Sequence, residues 1–593
     1  MSIPKISETT LRRNANAKSF ERGHACYESG AVVSLTQRGN TLRADVEGNE
    51  AEPYRVCLSF DEGGLSSTRC SCAYSFEGWC KHIVATLLVC LHEPDRIEQQ
   101  PPLAQRLAQL DLPQTRRLVQ ALAAEHPALL DRIDYHVDRI VAPIPSTQPT
   151  RPVRRTTVDP APFRREVRQI LRNAVEGWES GRDDDSITLD LQALVNKAKD
   201  FTEAGDGNNA LVVLAAISEA CVDYWDVVGD YSAESYDAVE LLDHAWTEAI
   251  LSVELAPAEK TELQAKLEAW QDQLDGTFAM SLEVLRQGWD YPPLRQVLQG
   301  QVTQAGAWDG EPPDYADELA LIRLNILDRQ GRQQEYLHLA EAEGQMTQYL
   351  TMLARLGQVD AAMKAAETQM HSQSEAFALA QALREQGALA QALEIARRGL
   401  KLAGQDYFQH KLALWTSELA EGLGDRPAAL DARVTAFKAN PSFGDYQKIQ
   451  ELAGDTWNSV RTDLLEHLHK HQAWGGEQAR VDIFLHEGLI DSAIKAVSNL
   501  GYYQSELVYR VMDAAMAAHP DWVIKNARHR AEEIMDAGKA NAYHHAVGWL
   551  KKARAAYLAS QRQSQWAAYR AKLMATHGRK YKLMGMLKHR DLD

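Results

Sequence analysis

The chain has 593 residues, of which 45% are hydrophobic and 25% charged, and its formal net charge is −18 at pH 7. This length and composition predict a globular protein of several units, and the acidic balance argues against a protein that coats DNA non-specifically. The first 20 residues lack the apolar core of a signal peptide, and the longest apolar run, residues 83–91, is about half as long as a membrane span. We therefore expect a cytoplasmic protein, without membrane association, whose cysteines stay reduced.

Residues 1–93 have the pattern of a small β-rich module. Two β-runs within residues 30–48 are separated by the turn sequence Arg-Gly-Asn, and residues 54–60 alternate between apolar and polar side chains as a half-buried strand does. Residues 64–72 indicate a fourth strand. A helical pattern begins at Lys81 and stops at Pro94.

A cluster of cysteine and histidine follows the fourth predicted strand. Cys70, Cys72, Cys80 and His82 lie within thirteen residues, in a chain that has seven cysteines in all. Three thiols and one imidazole are a ligand set of tetrahedral zinc. Since side chains two residues apart point in different directions on a helix, Cys80 and His82 must lie at or just before the helix start.

The residues alone are also compatible with chance proximity, with a redox-active Cys70–Cys72 pair and with an iron–sulfur site. The redox pair would give no role to Cys80 and His82, whereas zinc uses all four side chains. Four protein ligands leave no open position for water, and no His-Glu-x-x-His pattern accompanies them. The sequence therefore favours one structural Zn²⁺, which supplies folding free energy of ~10 kcal/mol in small zinc modules.

The rest of the chain divides into three predicted segments. Residues 94–141 are a short helical segment, and residues 142–163 are a Pro/Arg-rich linker with six prolines. Residues 164–593 are helical by pattern. Gly357, Gly387, Gly424 and Gly488 each close a helix before a spacer and an Ala-rich helix, and intervals in the thirties are typical of an α-solenoid of tetratricopeptide (TPR)-like hairpins.

Two segments are basic despite the acidic whole. Residues 551–590 hold 11 Lys and Arg and no acid, and residues 151–172 hold seven Arg and two acids. Cations interleaved with aromatic residues suit phosphate contact and base stacking. The alternative is a capping helical hairpin whose Trp566 and Tyr569 face the core while its charges face water. The candidate nucleic-acid contacts are Lys81, at a predicted helix start, and Arg154, Arg155, Lys551, Lys552, Arg579 and Lys580.

The cysteine motif resembles the SWIM zinc finger, Cys-x-Cys-x(n)-Cys-x-His before an apolar helix, here with seven residues between its halves. Residues 22–35, 42–48 and 53–60 look like the strands that precede the finger in bacterial SWIM proteins. Residues 110–133, 241–270 and 566–588 look like parts of their helical region. The resemblance implies a zinc module for DNA or protein interaction. It also implies MoxR-type AAA+ ATPases or von Willebrand A-domain proteins as partners.

The sequence thus predicts a mainly α protein. A small N-terminal zinc-stabilised, β-rich (α+β) SWIM module precedes a long α-solenoid of TPR-like helical hairpins. We expect a non-catalytic protein that binds protein partners, because no phosphate-binding loop, Rossmann or nucleophile-elbow motif is present. Nucleic-acid binding is the alternative, although residues 1–93 are almost neutral, with 10 Lys and Arg against 11 Asp and Glu.

Overall fold

A computed structural model describes residues 8–74, 78–125, 133, 156–179, 187–225, 235–274, 278–301, 306–404, 406–471, 476–501, 504–538 and 540–587. By its backbone contacts the chain divides into two compact units. The first unit combines residues 1–100 with residues 396–593, and the second consists of residues 101–395. Within the described residues, no helix combines the length and the apolar character needed to cross a bilayer.

The first hundred residues form a five-stranded sheet covered by helices. The elements, in chain order, are α1 (Glu8–Asn14), α2 (Ala17–Glu28), β1 (Val32–Arg38), β2 (Thr41–Val46), β3 (Tyr54–Asp61), β4 (Gly64–Cys70), α3 (Lys81–His92) and β5 (Glu98–Gln100). The strand order is β4-β3-β2-β1-β5. Strands β1 to β4 are antiparallel neighbours, whereas β5 pairs with β1 in parallel.

The sheet buries one face, as the alternation in its sequence predicts. In β3, Val56, Leu58 and Phe60 are buried and the residues between them are half-buried. The turn between β1 and β2 has two residues, and its first, Gly39, has a φ of 59°. A positive φ at that position is favourable in tight hairpins because it matches the twist of the strands.

Helix α3 packs on the buried face of the sheet, and helix α2 packs against α3. Eight consecutive residues of α3, from Ile83 to Cys90, are buried, so this helix is apolar nearly all round. Its two neighbours approach closely: a Cβ on Gly23 of α2 would lie 2.6 Å from Val84 Cβ and 2.9 Å from the Lys81 carbonyl oxygen. Glycine at residue 23 therefore sets the distance between the two helices.

The second unit is helical within its described residues. Its helices are α4 (Leu103–Leu107), α5 (Leu112–Glu125), α6 (Ala161–Glu179), α7 (Ile187–Glu203), α8 (Gly207–Val222), α9 (Ser235–Leu251), α10 (Pro257–Leu274), α11 (Ala279–Gln287), α12 (Pro292–Leu298), α13 (Ala316–Arg329), α14 (Gln333–Ala342), α15 (Met346–Arg355), α16 (Val359–Gln369) and α17 (Gln373–Glu385). Helix α18 (Leu389–Gly399) contains the division between the units. One apolar core runs from Val167 to Ile326.

The helices of the first unit follow from residue 406. They are α19 (Asp406–Gly422), α20 (Arg426–Ala439), α21 (Phe443–Ala453), α22 (Trp457–Lys470), α23 (Glu477–His486), α24 (Ile490–Val497), α25 (Ser505–Ala515), α26 (Pro520–Asp536), α27 (Tyr543–Ala559), α28 (Gln563–Thr576) and α29 (Tyr581–Leu587). Consecutive helices such as α19 and α20, or α26 and α27, pack along each other as hairpins. A second apolar core runs from Phe437 to Leu587.

The glycines that the sequence marks as helix ends have the expected conformation. Gly357, Gly387, Gly424 and Gly488 have φ values between 69° and 79°. The residue after each glycine donates its N–H to the carbonyl five residues earlier, as Gln358 does to Leu353 at 3.0 Å. This hydrogen bond is the mark of a Schellman motif, in which glycine takes the left-handed position at little cost.

The predicted fold class is confirmed: the protein is mainly helical, with an N-terminal sheet that carries the cysteine cluster and with many helical hairpins. Strand β5, which follows residue 93, has no counterpart among the predicted strands. The predicted linker, residues 142–163, lies outside the described residues up to residue 155, and its last three residues begin α6. The boundaries of the predicted segments otherwise stay predictions.

We expect Gly23→Ala to destabilise the N-terminal module by about 1–3 kcal/mol, because the added methyl group overpacks the α2–α3 contact. Thermal unfolding of the full chain, together with hydrogen exchange of the backbone amides in residues 8–100, would measure the effect. Gly585→Ala is the matched control, since a Cβ on Gly585 meets nothing within 4 Å and its helix is exposed there. Equal stability of the Gly23→Ala protein and the parent would contradict the close packing.

Candidate metal centre

The four predicted ligands come from the end of one strand and the start of one helix. Cys70 is the last residue of β4, and Cys72 follows it by two residues. Cys80 is the N-cap residue of α3, with extended backbone angles of −73° and 166°, and His82 is the second residue of the helix. The chain therefore enters the helical conformation between Cys80 and His82, as the spacing predicts.

The strand side of the cluster is fixed by hydrogen bonds to β3. Ser71 donates its backbone N–H to the Arg55 carbonyl oxygen at 3.0 Å, and its hydroxyl oxygen accepts from the Arg55 N–H at 2.9 Å. Cys70 is the register partner of Val56, next to Arg55. Because two hydrogen bonds fix Ser71 to the backbone of Arg55, the two cysteines that flank it have little freedom to move apart.

The loop that returns to α3 is fastened to the junction of α1 and α2. Trp79 donates its N–H to the Asn14 carbonyl oxygen at 2.6 Å. The Tyr74 hydroxyl accepts from Asn16 Nδ2 at 3.0 Å and from Ser19 Oγ at 3.2 Å. These contacts fix both ends of the loop, whose residues 75–77 lie outside the described part, against α1 and α2.

The four donor atoms converge on one point. The sulfur atoms of the three cysteines and a ring nitrogen of His82 all lie within 4.8 Å of one another. Cys70 Sγ and His82 Nδ1 are 3.6 Å apart. A tetrahedral zinc with Zn–S of ~2.3 Å and Zn–N of ~2.05 Å requires an S···N separation of about 3.6 Å. The donor set and its spacing therefore fit one Zn²⁺ ion.

The thiols of the cluster cannot all ionise independently. The pKa of Cys80 is lowered to about 4, first because the Cys70 thiol donates a hydrogen bond to it and further by contacts with His82 and the Ile83 backbone N–H. The pKa of Cys70 is raised in turn by sharing its proton with Cys80, and burial raises the pKa of Cys72. One thiolate forms readily at the helix N-terminus; a cation is required to stabilise the other two.

The imidazole of His82 is buried and oriented by its surroundings. Its ring stacks on Tyr54 with centroids 4.2 Å apart and planes inclined by 21°, and 2% of the residue is exposed. A metal bound at Nδ1 would require the ring proton on Nε2, which is buried and has no hydrogen-bond partner within the described residues. Gly48 leaves room for this arrangement, because a Cβ there would overlap the Tyr54 ring.

The cysteines outside the motif do not join the cluster. Cys26, Cys57, Cys90 and Cys221 are free thiols, and none belongs to a group with metal-binding spacing among the described residues. One further group with such spacing consists of Glu240, His244 and Glu318. Its glutamates are exposed, and His244 Nε2 lies 3.2 Å from a Glu318 carboxylate oxygen, so an ordinary surface ion pair accounts for it.

The candidate nucleic-acid contacts do not form one site in the described residues. Lys81 is the first residue of α3 and is half-buried between two of the ligands. Arg154 and Arg155 lie outside the described residues. Lys552 pairs with Asp513 at 2.5 Å, and Lys580 donates to the Met535 carbonyl oxygen near the end of α26.

The remaining tail residues show which interpretation of that segment the geometry favours. Trp566 and Tyr569 are 4% and 7% exposed and belong to the core of the last helices. They are therefore covered by protein and cannot stack on bases. Arg579 is exposed, and Lys551 lies on α27 with another contact of its own. The tail packs as helices on this core, and its described cations are exposed or half-buried.

Comparison with known proteins finds similarity over part of the chain. Over 138 residues the chain is 31% identical to the zinc finger SWIM domain-containing protein 8 homolog of Drosophila melanogaster. The match covers 23% of this chain and 6% of the relative, so the chain spans only a small part of the relative's length. No family model matches the chain. The finding is a partial, distant similarity to a SWIM zinc-finger protein, together with a Cys₃His group suited to one zinc ion.

The residues that hold the ligands in place are not apparent from the sequence. The pattern predicts Tyr54 only as part of a half-buried strand, although its ring covers His82. Asn14, Asn16 and Ser19, which bind the returning loop, precede the motif by more than fifty residues. A tyrosine on the buried phase of β3 is the available signal, because it is the one side chain there with a polar end.

We expect Cys70→Ser to release about one zinc per chain and to unfold residues 8–100 at a lower temperature, while the helical signal changes little. The helices keep their own apolar cores, which do not include the ligands. Metal analysis and circular dichroism would measure both effects. Cys57→Ser is the matched control, because Cys57 lies on β3 opposite Arg69 and outside the cluster. Equal zinc content in the two variants would contradict the site.

Proposed function

We propose that the N-terminal module is a SWIM-type zinc finger with one structural Zn²⁺ held by Cys70, Cys72, Cys80 and His82. The observation that carries this proposal is the convergence of four donor atoms from β4 and α3. The partial similarity to a SWIM domain-containing protein supports it. Because four protein ligands complete a tetrahedron, the metal has no position for a reacting water, and we propose a non-catalytic role in the cytoplasm.

We further propose that the chain is a scaffold that binds protein partners. The supporting observation is an accumulation of exposed apolar side chains on α4 and α5. Six of the eleven large apolar side chains that are exposed in the described residues lie there: Leu103, Leu107, Leu112, Leu118, Val119 and Leu122. Helix α5 has no buried residue. Exposed apolar groups that lie together are typical of protein-binding surfaces. MoxR-type AAA+ ATPases and von Willebrand A-domain proteins are the partners to examine first.

The scaffold proposal predicts that Leu118→Asp with Leu122→Asp weakens a stoichiometric complex at least about tenfold, because both side chains lie on one face of α5. Light scattering and calorimetry with purified AAA+ and von Willebrand A-domain proteins would measure the affinity. Leu189→Asp is the control, since Leu189 is 74% exposed on another helix. The proposal fails if the chain forms no complex, or if the control weakens the complex as much as the double variant.

Nucleic-acid binding is the second candidate, and the outer face of the sheet supports it. The register places Arg43 of β2 opposite Cys57 of β3, and Cys57 opposite Arg69 of β4. Both arginines are exposed, as is Arg55, two residues from Cys57 on the same face. Strands lie about 4.8 Å apart, so the two arginines flank Cys57 within reach of neighbouring phosphates. This face exposes several cations together, whereas the aromatic residues of the C-terminal tail that could stack on bases are buried.

For this second candidate we expect salt-sensitive binding of DNA or RNA, with a salt slope reduced by about 2 when Arg43→Gln and Arg69→Gln are combined. Fluorescence anisotropy at several salt concentrations would measure the slope for single and double strands. Arg22→Gln is the control, because Arg22 is exposed on α2 and not on the sheet. Absence of salt-sensitive affinity at low ionic strength would end the nucleic-acid candidate.

A further inference from the structure

The C-terminal part of the chain is positively charged, unlike the chain as a whole. Residues 520–590 contain 15 Lys and Arg and four Asp and Glu, in a chain whose net charge is −18. The aromatic residues Trp566 and Tyr569 of the tail are buried, and several of its cations are engaged with neighbouring helices. A local positive excess attracts anions wherever the surface admits them. Such an entry exists at one end of the α26–α27 hairpin.

A cavity of about 870 Å³ lies between this hairpin and residues 498–501. Its size is within the range of small-molecule sites, roughly 300–1,000 Å³. Four basic side chains line it: His529, Arg530, His544 and His545. Glu533 is the one acid among the lining residues that the structure describes. Arg530 therefore brings the one permanent positive charge of the lining, Glu533 brings a carboxylate that opposes an anion, and the three histidines bring ring nitrogens that can donate hydrogen bonds.

The basic side chains of the lining are held in place by the protein. Arg530 donates from Nη2 to the Leu500 carbonyl oxygen at 2.7 Å, and its guanidinium carbon lies 5.2 Å from the centre of the Trp549 ring. The rings of His544 and His545 are adjacent, with centroids 3.8 Å apart. His529 and His544 are exposed to solvent. The guanidinium, which contacts Leu500 and Trp549, and the two exposed imidazoles offer donor groups to an incoming ligand.

Amide and hydroxyl groups complete the lining. Ser498, Asn499, Asn526 and Asn541 also border the cavity. Amide N–H and hydroxyl groups donate to oxygen atoms and add direction to the attraction between charges. The cavity also has an apolar part, formed by Leu500, Ile534 and Trp549. Its single carboxylate is a poor ligand set for Ca²⁺ or Mg²⁺, and its histidines and Glu533 do not belong to a group with metal-binding spacing among the described residues. The chemistry that remains is that of a small oxyanion with several charges.

We propose that this cavity binds a small, multiply charged oxyanion, a phosphate ester or a polycarboxylate, in contact with His529, Arg530 and His544. The site is separate from the zinc module and does not depend on the function proposed for it. The negative charge of the ligand would be attracted by the positive excess of the C-terminal helices. Phosphate and carboxylate share the oxygen acceptors that the cavity requires, and the experiment separates them.

Calorimetric titration of the full chain at about 50 mM salt with ATP, pyrophosphate and citrate tests the site. We expect saturable binding of about one equivalent of at least one probe, and the probe that binds tells phosphate from carboxylate. The double variant His529→Ala with His544→Ala should weaken this binding about tenfold, because two donors are lost. Glu533→Gln should tighten it about threefold, because a like charge is removed.

Arg579→Ala is the matched control, because Arg579 is an exposed cation of the same part of the chain and lies outside the cavity. Its effect should stay below about twofold. Thermal unfolding checks that each variant is folded, and Cys70→Ser should leave the anion affinity unchanged. The proposal is overturned if none of the three probes binds. It is also overturned if Arg579→Ala weakens binding as much as the histidine variant, or if Glu533→Gln fails to tighten it.

Discussion

The convergence of Cys70, Cys72, Cys80 and His82 is the constraint on which the N-terminal module depends. It joins the end of β4 to the start of α3, and α3 provides a large part of the apolar core of the sheet. A module of about a hundred residues has a small core, so a Zn²⁺ ion held between strand and helix would add stability that burial alone supplies only in part. The stacked Tyr54, the hydrogen bonds of Ser71 and the Trp79–Asn14 bond all act on this junction.

Local chemistry explains what the sequence predicts well. The spacing of Cys80 and His82 is incompatible with a regular helix, so it locates the helix start at Lys81, where the structure has it. Alternation in β3 indicates which face is buried, and glycine before a new helix indicates a left-handed cap, as at Gly357 and Gly387. Each of these features is decided by residues a few positions apart.

Features that depend on distant residues cannot be predicted from the sequence in the same way. Strand β5 has three polar residues, Glu98 to Gln100, and becomes a strand only because β1 offers its edge in parallel. The hydrogen bonds that hold the loop between Cys72 and Cys80 come from α1 and α2. The cavity near Arg530 is formed by helices and a loop that are brought together only by the fold. No local sequence pattern predicts these tertiary contacts, because short polar segments and single asparagines are common in loops.

In both the N-terminal module and the helices of the same unit, the exposed charges differ from what the composition of the segment indicates. Residues 1–93 are almost neutral, yet the strand register gathers Arg43 and Arg69 on one exposed face. Residues 520–590 carry the opposite sign to the whole chain, yet Trp566 and Tyr569 are buried there and four basic side chains line a cavity. Composition alone therefore misjudges both segments. What decides recognition is which side chains the fold leaves exposed together, and a flat arginine face and a cavity open to solvent select anions of different size.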